Sequence, residues 1–280
     1  MQRHFLHDLI KPIVAECKFS IKSTKEFKDK ILEIESFDQN EYEIVSYDCI
    51  QLYTSINIDR VLKFILDKIY LEPSKFFPET TKLVKINKEL VNRPVEPPPR
   101  HKLQKFFKSV LCDFNSFEAL NGFFRQTQGC SMGSKLSPSL ANIFCSLFET
   151  AIIEPDLENK NLLGYVRYVD DILLIVKRDY KDRLLGKLNA FDPFLKFTTE
   201  SMVDSKINFL DTTVTLNNRQ INLEMYRKPT FTDKTVDFKN SISPKNYKWS
   251  TFIGEIFRCN NCTSDINSRD RAIENTKQIF

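Results

Sequence analysis

The run from Tyr165 to Val176 is apolar except for one arginine and the adjacent acids Asp170 and Asp171. The flanking residues are β-branched or aromatic, which predicts two buried strands, one ending at Val169 and the next beginning at Ile172. Neighbouring side chains on a straight strand point to opposite faces, whereas at a tight turn both carboxylates can approach one site. Burying an ionised carboxylate without a partner is costly, so the pair requires an explanation.

Two explanations fit this acid pair. A pair of divalent cations would neutralise both carboxylates and give them a catalytic role. Alternatively, the pair is an ordinary surface turn, because Asp is favoured in turns. The four residues Tyr168-Val169-Asp170-Asp171 alone do not decide between them. A metal site would need ligands from elsewhere in the chain.

A third acid, Asp48, ends a short predicted strand that begins at Tyr42. A helix with Asp59 as its predicted N-cap follows it. An acid at a strand end, facing a hairpin with two more acids, is the set expected for two-metal phosphoryl transfer, in which the ions lie ~3.5–4 Å apart. Carboxylates hold Mg²⁺ in such sites while substrate phosphates fill the remaining positions. Taken alone, an acid such as Asp48 is more often an ordinary strand-end or turn residue than a metal ligand.

The segment Gln126–Pro138 contains two of the six glycines of the chain, Gly129 and Gly133. Glycine allows the backbone to approach a ligand closely, so this loop is a candidate binding element. A plain loop before a core helix is the alternative. An apolar stripe follows the loop, with Ser137 as the predicted N-cap and Pro138 at the first helical position.

Turn signals predict further segments outside these motifs. They are a hairpin over 117–127 that turns at Asn121-Gly122, a proline-rich extended loop over 92–100, a hairpin over 206–227 that turns at Asn217-Asn218, and a polar helical end after Pro229. The longest apolar runs are far too short to span a bilayer, and no secretory signal is present. Seven cysteines without a disulfide framework favour a reducing, intracellular compartment.

The formal net charge of +4 neither requires nor excludes nucleic acid as a partner. Local basic clusters are more informative, because phosphate contacts come from clustered Lys and Arg, although a solvated face fits each cluster as well. The clusters are Arg100-His101-Lys102 with Lys105 and Lys108, and Tyr226-Arg227-Lys228 with Lys234, Lys239, Lys245 and Lys248. Cys259 and Cys262 have zinc-like spacing, but without a second pair they do not predict a zinc site.

The ordered motifs resemble the palm of reverse transcriptases, and the finer match is to Penelope-like retroelements. The motifs that carry the resemblance are Val45-Ser46-Tyr47-Asp48 with Leu52–Ile56, Gln128–Phe144, Tyr168-Val169-Asp170-Asp171, Phe209-Leu210-Asp211 and Tyr226–Thr230. The resemblance covers the chain from about Leu9 onward. It implies an α+β fold: a right-hand polymerase palm, with an antiparallel sheet backed by helices, a partial fingers region and a partial thumb.

The resemblance also implies a division of the chain into regions. These are 1–40 as residual fingers leading into the palm, 41–56 as palm, 57–135 as a fingers insertion, 136–228 as palm and 229–280 as a partial thumb. On this view the chain is truncated at both ends. It lacks the first fingers motifs, and no GIY-YIG endonuclease is present.

By this resemblance Asp48, Asp170 and Asp171 are the catalytic acids and the ligands of two Mg²⁺ ions, with Mn²⁺ as an alternative metal. The backbone carbonyl of Cys49 is a further implied ligand. Tyr53 would lie beneath the sugar of the incoming nucleotide, where it would clash with a ribose 2′-OH. Packing within the palm is the other explanation for Tyr53. Gln128 and Gly129 would contact the nucleotide and the template.

The implied activity is RNA-directed DNA polymerisation, in which a primer 3′-hydroxyl attacks the α-phosphate of a dNTP and pyrophosphate leaves. The implied partners are an RNA template, a DNA primer and dNTPs, without a membrane, and the implied place of action is the nucleus. A catalytically incompetent remnant that at most binds nucleic acid is the alternative. A telomerase-type enzyme ranks lower, because no RNA-binding domain for a dedicated template is recognisable.

Overall fold

The computed structural model describes residues 2–34, 36–77, 82–86, 89–93, 97–112, 116–119, 121–217, 219–231 and 244–279. The chain divides into two compact units. Unit 1 comprises Met1–Lys18, Ile50–Ile152 and Leu188–Lys196. Unit 2 comprises Phe19–Cys49, Ile153–Lys187 and Phe197–Phe280.

Helices and strands are numbered along the chain. The helices are α1 (Gln2–Ala15), α2 (Thr24–Leu32), α3 (Leu52–Ser55), α4 (Ile58–Leu71), α5 (Pro73–Phe76), α6 (Arg100–Cys112), α7 (Ser137–Phe148), α8 (Glu154–Glu158), α9 (Lys181–Phe191), α10 (Lys245–Cys262) and α11 (Ile266–Ile279). The strands are β1 (Tyr42–Ile50), β2 (Lys82–Ile86), β3 (Glu89–Arg93), β4 (Ser116–Ala119), β5 (Gly122–Arg125), β6 (Leu162–Tyr168), β7 (Asp171–Lys177), β8 (Lys196–Ser201), β9 (Lys206–Phe209), β10 (Thr212–Asn217) and β11 (Gln220–Met225).

In unit 1, α4 forms because its apolar residues recur at helical spacing and are buried together. The predicted N-cap was wrong by two residues. Asn57 caps the helix, with its side-chain oxygen accepting a hydrogen bond from the Arg60 backbone N–H at 3.2 Å. Asp59 lies instead in the first turn, where the helix dipole favours an acid without a direct capping bond.

The start of α7 also differs from its prediction. Leu136 occupies the N-cap position without a side-chain cap bond, and Ser137 is already helical. The Ser137 hydroxyl donates to the Ser131 carbonyl at 2.7 Å, so it holds the preceding loop and does not cap the helix. After α7 the chain makes a π-helical turn over Glu149–Ile153, in which Ala151 is exposed and Ile153 is buried.

The hairpin of β4 and β5 is present, but its turn lies one position earlier than predicted. Ala119 pairs with Gly122, so Gly122 belongs to the strand, and Asn121 has φ +60° in the turn. Asn tolerates this left-handed conformation better than most residues. The proline-rich loop is shorter than predicted, because β3 extends to Arg93 and α6 begins at Arg100. Pro94 lies outside the described residues.

Unit 2 is built on an antiparallel sheet. Its strand order is β6-β7-β1-β8, and both β6 and β1 pair antiparallel with β7. Residues 172–176 of β7 are all buried, as expected of a central strand covered on both faces. Phe27 and Ile31 of α2 pack into the same core as Ile44 and Leu173. β1 continues two residues beyond Asp48, further than predicted.

A second antiparallel sheet in unit 2 has the order β11-β10-β9. Asn217 pairs with Gln220, so Asn217 is the last residue of β10 and does not belong to the turn, in contrast to the predicted turn at Asn217-Asn218. Asn218 lies outside the described residues. A turn at Leu210-Asp211 divides the predicted first strand into β9 and β10. The predicted helical end is confirmed over α10 and α11. No helix among the described residues is both long enough and apolar enough to cross a membrane.

Candidate active site

The three acids singled out in the sequence meet at one end of the main sheet of unit 2. Asp48 on β1 is the direct register partner of Asp171 on β7. Directly opposed residues of an antiparallel pair project from the same face of the sheet. The Cys49 backbone N–H donates to the Asp170 carbonyl at 3.2 Å, which attaches the end of β1 to the turn. Residues far apart in the sequence are thus brought together.

The turn that carries the acids is strained. Tyr168 pairs with Asp171, so Val169 and Asp170 form a two-residue turn between β6 and β7. Val169 has φ +58° and Asp170 does not have a positive φ, which is the φ pattern of a type II′ turn. Such turns favour glycine at the first position, and a β-branched residue with positive φ is a genuine outlier. Backbone strain of this kind clusters at functional sites.

A buried arginine supports this turn. The Arg167 side chain is only 1% exposed, and its guanidinium donates to the Val169 carbonyl at 3.0 Å. Its backbone also bonds on both sides to the segment before α2, donating to Phe19 and accepting from Ile21. Sequence reasoning noted this charge in an apolar run but gave it no role. The interruption itself was the available signal, since a buried charge requires partners.

The electrostatics of the acids favour a bound cation. Burial raises the pKa of Asp171, and the neighbouring charges of Asp170 and Asp48 raise it further, while Lys228 acts in the opposite direction. The pKa of Asp48 is also raised, first by burial and then by Asp170. The charge of Asp170 therefore makes ionisation of Asp48 and of Asp171 more costly. A divalent cation would reverse this effect by favouring the ionised forms.

The three carboxylates fit a Mg²⁺ site that substrate phosphates and water complete. Within the described parts of the chain, no three His, Cys, Asp or Glu side chains are arranged as a ready-made metal cage. Mg²⁺ seldom uses such a cage, because it is usually held by one or two carboxylates together with substrate phosphates and water. The opposed Asp48 and Asp171 and the adjacent Asp170 fit that mode. The Cys49 carbonyl as a ligand stays a prediction.

The other candidate metal ligands do not form a thiolate site. Cys259 and Cys262 are both buried free cysteines. Burial raises the pKa of the Cys262 thiol to about 12, whereas a zinc ligand is a thiolate. The Cys259 sulfur lies 3.4 Å from the Thr276 hydroxyl, inside the packing of α10 against α11. This pair is accordingly part of the helical core of unit 2.

A groove of about 540 Å³ in unit 2 extends from the acidic turn. Tyr168, Asp171, Leu210, Asp211 and Lys228 contribute to its lining. Leu210 and Asp211, from the Phe209-Leu210-Asp211 motif of the sequence, share this groove with Asp171.

Arg227 and Lys228, two basic residues of the second cluster whose side chains the structure describes, have different surroundings. Lys228 lines the groove, but Arg227 bonds to Glu255 at 3.1 Å and to Thr276 at 3.2 Å. Arg227 is therefore a packing residue of the helical end. Lys234 and Lys239 lie outside the described residues.

In unit 1 the glycine loop lies against the segment after β1. The Cys130 backbone N–H donates to the Tyr53 carbonyl at 2.7 Å. Gly129 is buried with φ +71°, and a Cβ at this position would lie 2.4 Å from the Tyr53 oxygen and 2.6 Å from the Thr54 Cα. The structure therefore brings together Tyr53, Gln128 and Gly129, the three residues predicted to contact the nucleotide. Their contact with a nucleotide stays a prediction.

Gln126 is a further residue of this loop that sequence reasoning missed. Its side-chain amide donates to the Gln128 carbonyl at 2.6 Å and to the Cys130 carbonyl at 3.3 Å. One side chain thus connects both ends of the Gln128-Gly129-Cys130 bend. Little in the sequence indicated this role, since a glutamine two positions before a Gln-Gly pair can make many other contacts.

Residues 82–238 match the family model described as reverse transcriptase (RNA-dependent DNA polymerase). The chain belongs to the reverse transcriptase family. The match covers more than half of the chain and includes Gln128, Gly129, Asp170 and Asp171, whereas Asp48 precedes it. The family is one of nucleotidyltransferases, which agrees with the predicted enzyme class. No curated protein matches the chain.

Solved structures place this reverse transcriptase domain in a known fold. Apo telomerase from Candida tropicalis matches with a TM-score of 0.55 and 15% identity, over 99% of this chain and 48% of that one. Telomerase from the same organism, in complex with a TWJ fragment of telomeric RNA, gives 0.56 and 14% identity over 94% and 42% of the two chains. An RNA-dependent RNA polymerase gives 0.50 and 13% identity over 79% and 20%.

These likenesses concern the fold alone, because the identities are low. They confirm the predicted α+β class with a palm-like antiparallel sheet. The chain spans less than half the length of each of these structures. They do not distinguish a Penelope-like subtype from other reverse transcriptases.

Proposed function

We propose that the chain is the reverse transcriptase domain of a Penelope-like retroelement, which extends a DNA primer with dNTPs on an RNA template. One observation carries the proposal: Asp48, Asp170 and Asp171 converge on a strained, arginine-supported turn in a chain of the reverse transcriptase family. Action in the nucleus belongs to the same proposal and follows from the retroelement resemblance only.

The acids would provide the metal site of the reaction. Asp48 and Asp170 would hold two Mg²⁺ ions, or Mn²⁺ in their place, and Asp171 would complete the set. When bound, such ions lower the pKa of the attacking hydroxyl and offset the charge on the leaving pyrophosphate. The work of the protein is then positioning, because its carboxylates fix where the triphosphate can bind.

The glycine loop would bind the incoming nucleotide. Tyr53 would exclude a ribose 2′-OH, and Gln128 and Gly129 would contact the nucleotide and template. Support comes from the close packing of Gly129 on the backbone of Tyr53 and Thr54, since a displacement of the loop would be felt at Tyr53. The groove beside Asp171, with the cation of Lys228, would accept the primer end.

The proposed division of the chain follows the resemblance. Residues 41–56 and 136–228 would form the palm, 57–135 the fingers insertion and 229–280 a partial thumb, with 1–40 leading into the palm. A catalytically incompetent remnant remains the alternative function. The strained Val169 and buried Arg167 speak against it, because a turn with no catalytic duty gains nothing from strain.

Primer extension tests the proposal. The purified chain is supplied with oligo(dT) annealed to poly(rA), dTTP and Mg²⁺, and extension is expected. Asp170→Asn should reduce extension to background. Its affinity for the primer–template should stay within about twofold of that of the unchanged chain, because only one charge is lost at the site. The matched control is Asp179→Asn, at an exposed acid just beyond β7, and it should extend normally.

Two results would count against the proposal. Binding of primer–template without extension, with Mg²⁺ and with Mn²⁺, would support the remnant. Loss of folding in Asp170→Asn, detected by circular dichroism, would show that the acid has a structural role.

A further inference from the structure

The hairpin of β4 and β5 exposes three aromatic rings. Phe123 is 86% exposed, Phe117 is 54% exposed and Phe124 is 48% exposed. Phe117 and Phe124 are register partners, and their rings stack with centroids 5.8 Å apart and planes 22° apart. An isolated two-stranded hairpin is marginally stable in water, and exposed apolar surface of this kind marks a contact site.

The two faces of the hairpin differ in chemistry. Opposed residues share a face and successive residues alternate, so Phe123 and Arg125 lie on the face opposite the Phe117–Phe124 stack. Arg125 also lines a cleft of about 370 Å³ with Lys108 of α6, and this cleft extends to Gly129. An aromatic ring and a cation therefore project from one face, beside a cleft that ends at the glycine loop.

Helix α6 continues this positive charge. It contains no acidic residue, and its apolar residues Leu103, Phe107 and Val110 are buried. Its basic residues are all exposed: Arg100, His101, Lys102, Lys105 and Lys108. His101, Lys105 and Lys108 follow one another at helical spacing toward the cleft. Lys108 pairs with Asp59 at 2.6 Å, but both side chains are largely exposed, and such pairs exchange readily for phosphate.

We propose that this surface, formed by Phe123 and Arg125 of the hairpin and Lys105 and Lys108 of α6, binds single-stranded nucleic acid. Backbone phosphates would lie along the basic side of α6, and bases would stack on the exposed rings. A positive groove with aromatic platforms is the general arrangement by which proteins hold single strands without sequence preference. Under this proposal, single-stranded nucleic acid is the ligand of the first basic cluster of the sequence.

The occupant is the single-stranded template, and this identification rests on the proposed polymerase function. The cleft ends at Gly129, whose loop is assigned to the nucleotide and template. Among the described residues, the exposed basic side chains of this surface, five on α6 and Arg125 on the hairpin, outnumber its acids, which are Glu118 on the hairpin and Asp59 in the cleft. This excess of positive charge suits a polyanion better than a typical protein partner.

Binding is measured with a fluorescein-labelled oligouridine of about 16 nucleotides by fluorescence anisotropy, in EDTA and without dNTPs. Phe123→Ala should weaken binding about tenfold, within the range observed for the loss of one stacked base. Phe123→Trp should retain binding, because it keeps a ring. The matched control is Phe194→Ala, which removes another exposed ring of unit 1 at 50% exposure, and it should leave binding unchanged.

The charge contribution is tested separately. Arg125→Gln and Lys105→Gln should each reduce the slope of log K against log salt by about 0.7, the value for one phosphate contact on a single strand. Lys63→Gln, at an exposed position of α4, should not change the slope. Thermal unfolding of each variant confirms that it is folded.

Several outcomes would overturn the proposal. One is an oligouridine affinity for Phe123→Ala equal to that of Phe194→Ala. Another is a change confined to self-association in light scattering, which would make the hairpin a protein contact. Because no catalysis is measured, a chain that extends primers but fails this test loses only the template surface. A chain that passes this test without extending primers keeps the single-strand surface but loses the polymerase proposal and, with it, the identification of the bound strand as the template.

Discussion

Substitution of Gly129 by alanine tests whether close packing or mere flexibility requires glycine in the Gln-Gly loop. A Cβ at position 129 would lie 2.4 Å from the Tyr53 carbonyl oxygen and 2.6 Å from two atoms of Thr54. All three are backbone atoms, which cannot move aside as the end of a flexible side chain can. The backbone φ of +71° is itself unfavourable for any residue with a Cβ.

The expected cost has two parts. The left-handed conformation costs a residue with a Cβ roughly 1–2 kcal/mol. Forcing a methyl group into a filled space typically costs about 1–3 kcal/mol more. Gly129→Ala should therefore lower the free energy of unfolding by about 2–5 kcal/mol. Gly133 separates the two parts, because it has φ +88° but a Cβ at this position would meet nothing within 4 Å. Gly133→Ala should show only the conformational cost.

Urea denaturation of both variants provides the measurement. Gly129→Ala should unfold at a lower urea midpoint than Gly133→Ala, by at least about 1 kcal/mol in unfolding free energy, with an unchanged m value. Primer extension should fall further in Gly129→Ala, because its loop must move away from Tyr53. Equal destabilisation of the two variants would refute the reasoning, since it would mean that the loop relaxes without cost around the added methyl group.

Three further predictions follow from the site. Asp171→Asn should raise the melting temperature of the metal-free protein at pH 7, measured by differential scanning calorimetry, and should reduce the further rise that Mg²⁺ causes. The sign of the first effect follows from the raised pKa of Asp171, because the folded state binds this proton more tightly than the unfolded state. The contribution of Asp171 to stability is therefore complete below the unfolded pKa of about 3.8 and is lost as the pH rises through the raised pKa of the folded state. Tyr53→Ala should admit ribonucleotides in primer extension, and unchanged sugar selectivity would remove Tyr53 from the site. Arg167→Leu should lower the unfolding free energy by about 1.5–3 kcal/mol, the usual worth of a hydrogen bond to a charged group, and a normal urea midpoint would deny its support of Val169.

The sequence was most informative where a residue contradicted its surroundings. Two acids in an apolar run predicted the turn between β6 and β7. The turn forms there, but one position earlier than predicted: Val169 and Asp170 make it, and Asp171 is the first residue of β7. Asp48 was predicted to lie near this pair because it ends a strand. In the structure, antiparallel pairing of β1 with β7 places Asp48 opposite Asp171. Such predictions succeed because burying a charge is costly, so a carboxylate within an apolar run can occupy few positions in a fold.

Helix caps and turns were predicted less well. Asn57 replaced Asp59 as a cap, and the Ser137 hydroxyl was occupied by its bond to the Ser131 carbonyl. Several neighbouring residues can cap a helix by the same local chemistry, so the choice depends on which side chains tertiary contacts occupy. The turn near Asn121 shifted by one position for a similar reason, because strand register decided which residues turn.

Contacts between distant segments were beyond reach. Nothing in the sequence shows that Gly129 touches Tyr53, or that Gln126 bonds to the carbonyl groups of Gln128 and Cys130. These contacts arise only once α3 and the loop before α7 are packed in unit 1. Residue type limits what a side chain can do, but only the fold determines its partner.

The acidic turn is locally destabilising. Val169 holds a left-handed φ that costs roughly 1–3 kcal/mol, and the charges of Asp170 and Asp48 add to the rise that burial causes in the pKa of Asp171. Both effects oppose folding when no cation is present. The Arg167 guanidinium and the Cys49 backbone N–H act against them by donating hydrogen bonds to the carbonyl groups of Val169 and Asp170. These two bonds fix the backbone of the turn without using its carboxylate oxygens, as the proposed site for metal and phosphate would require.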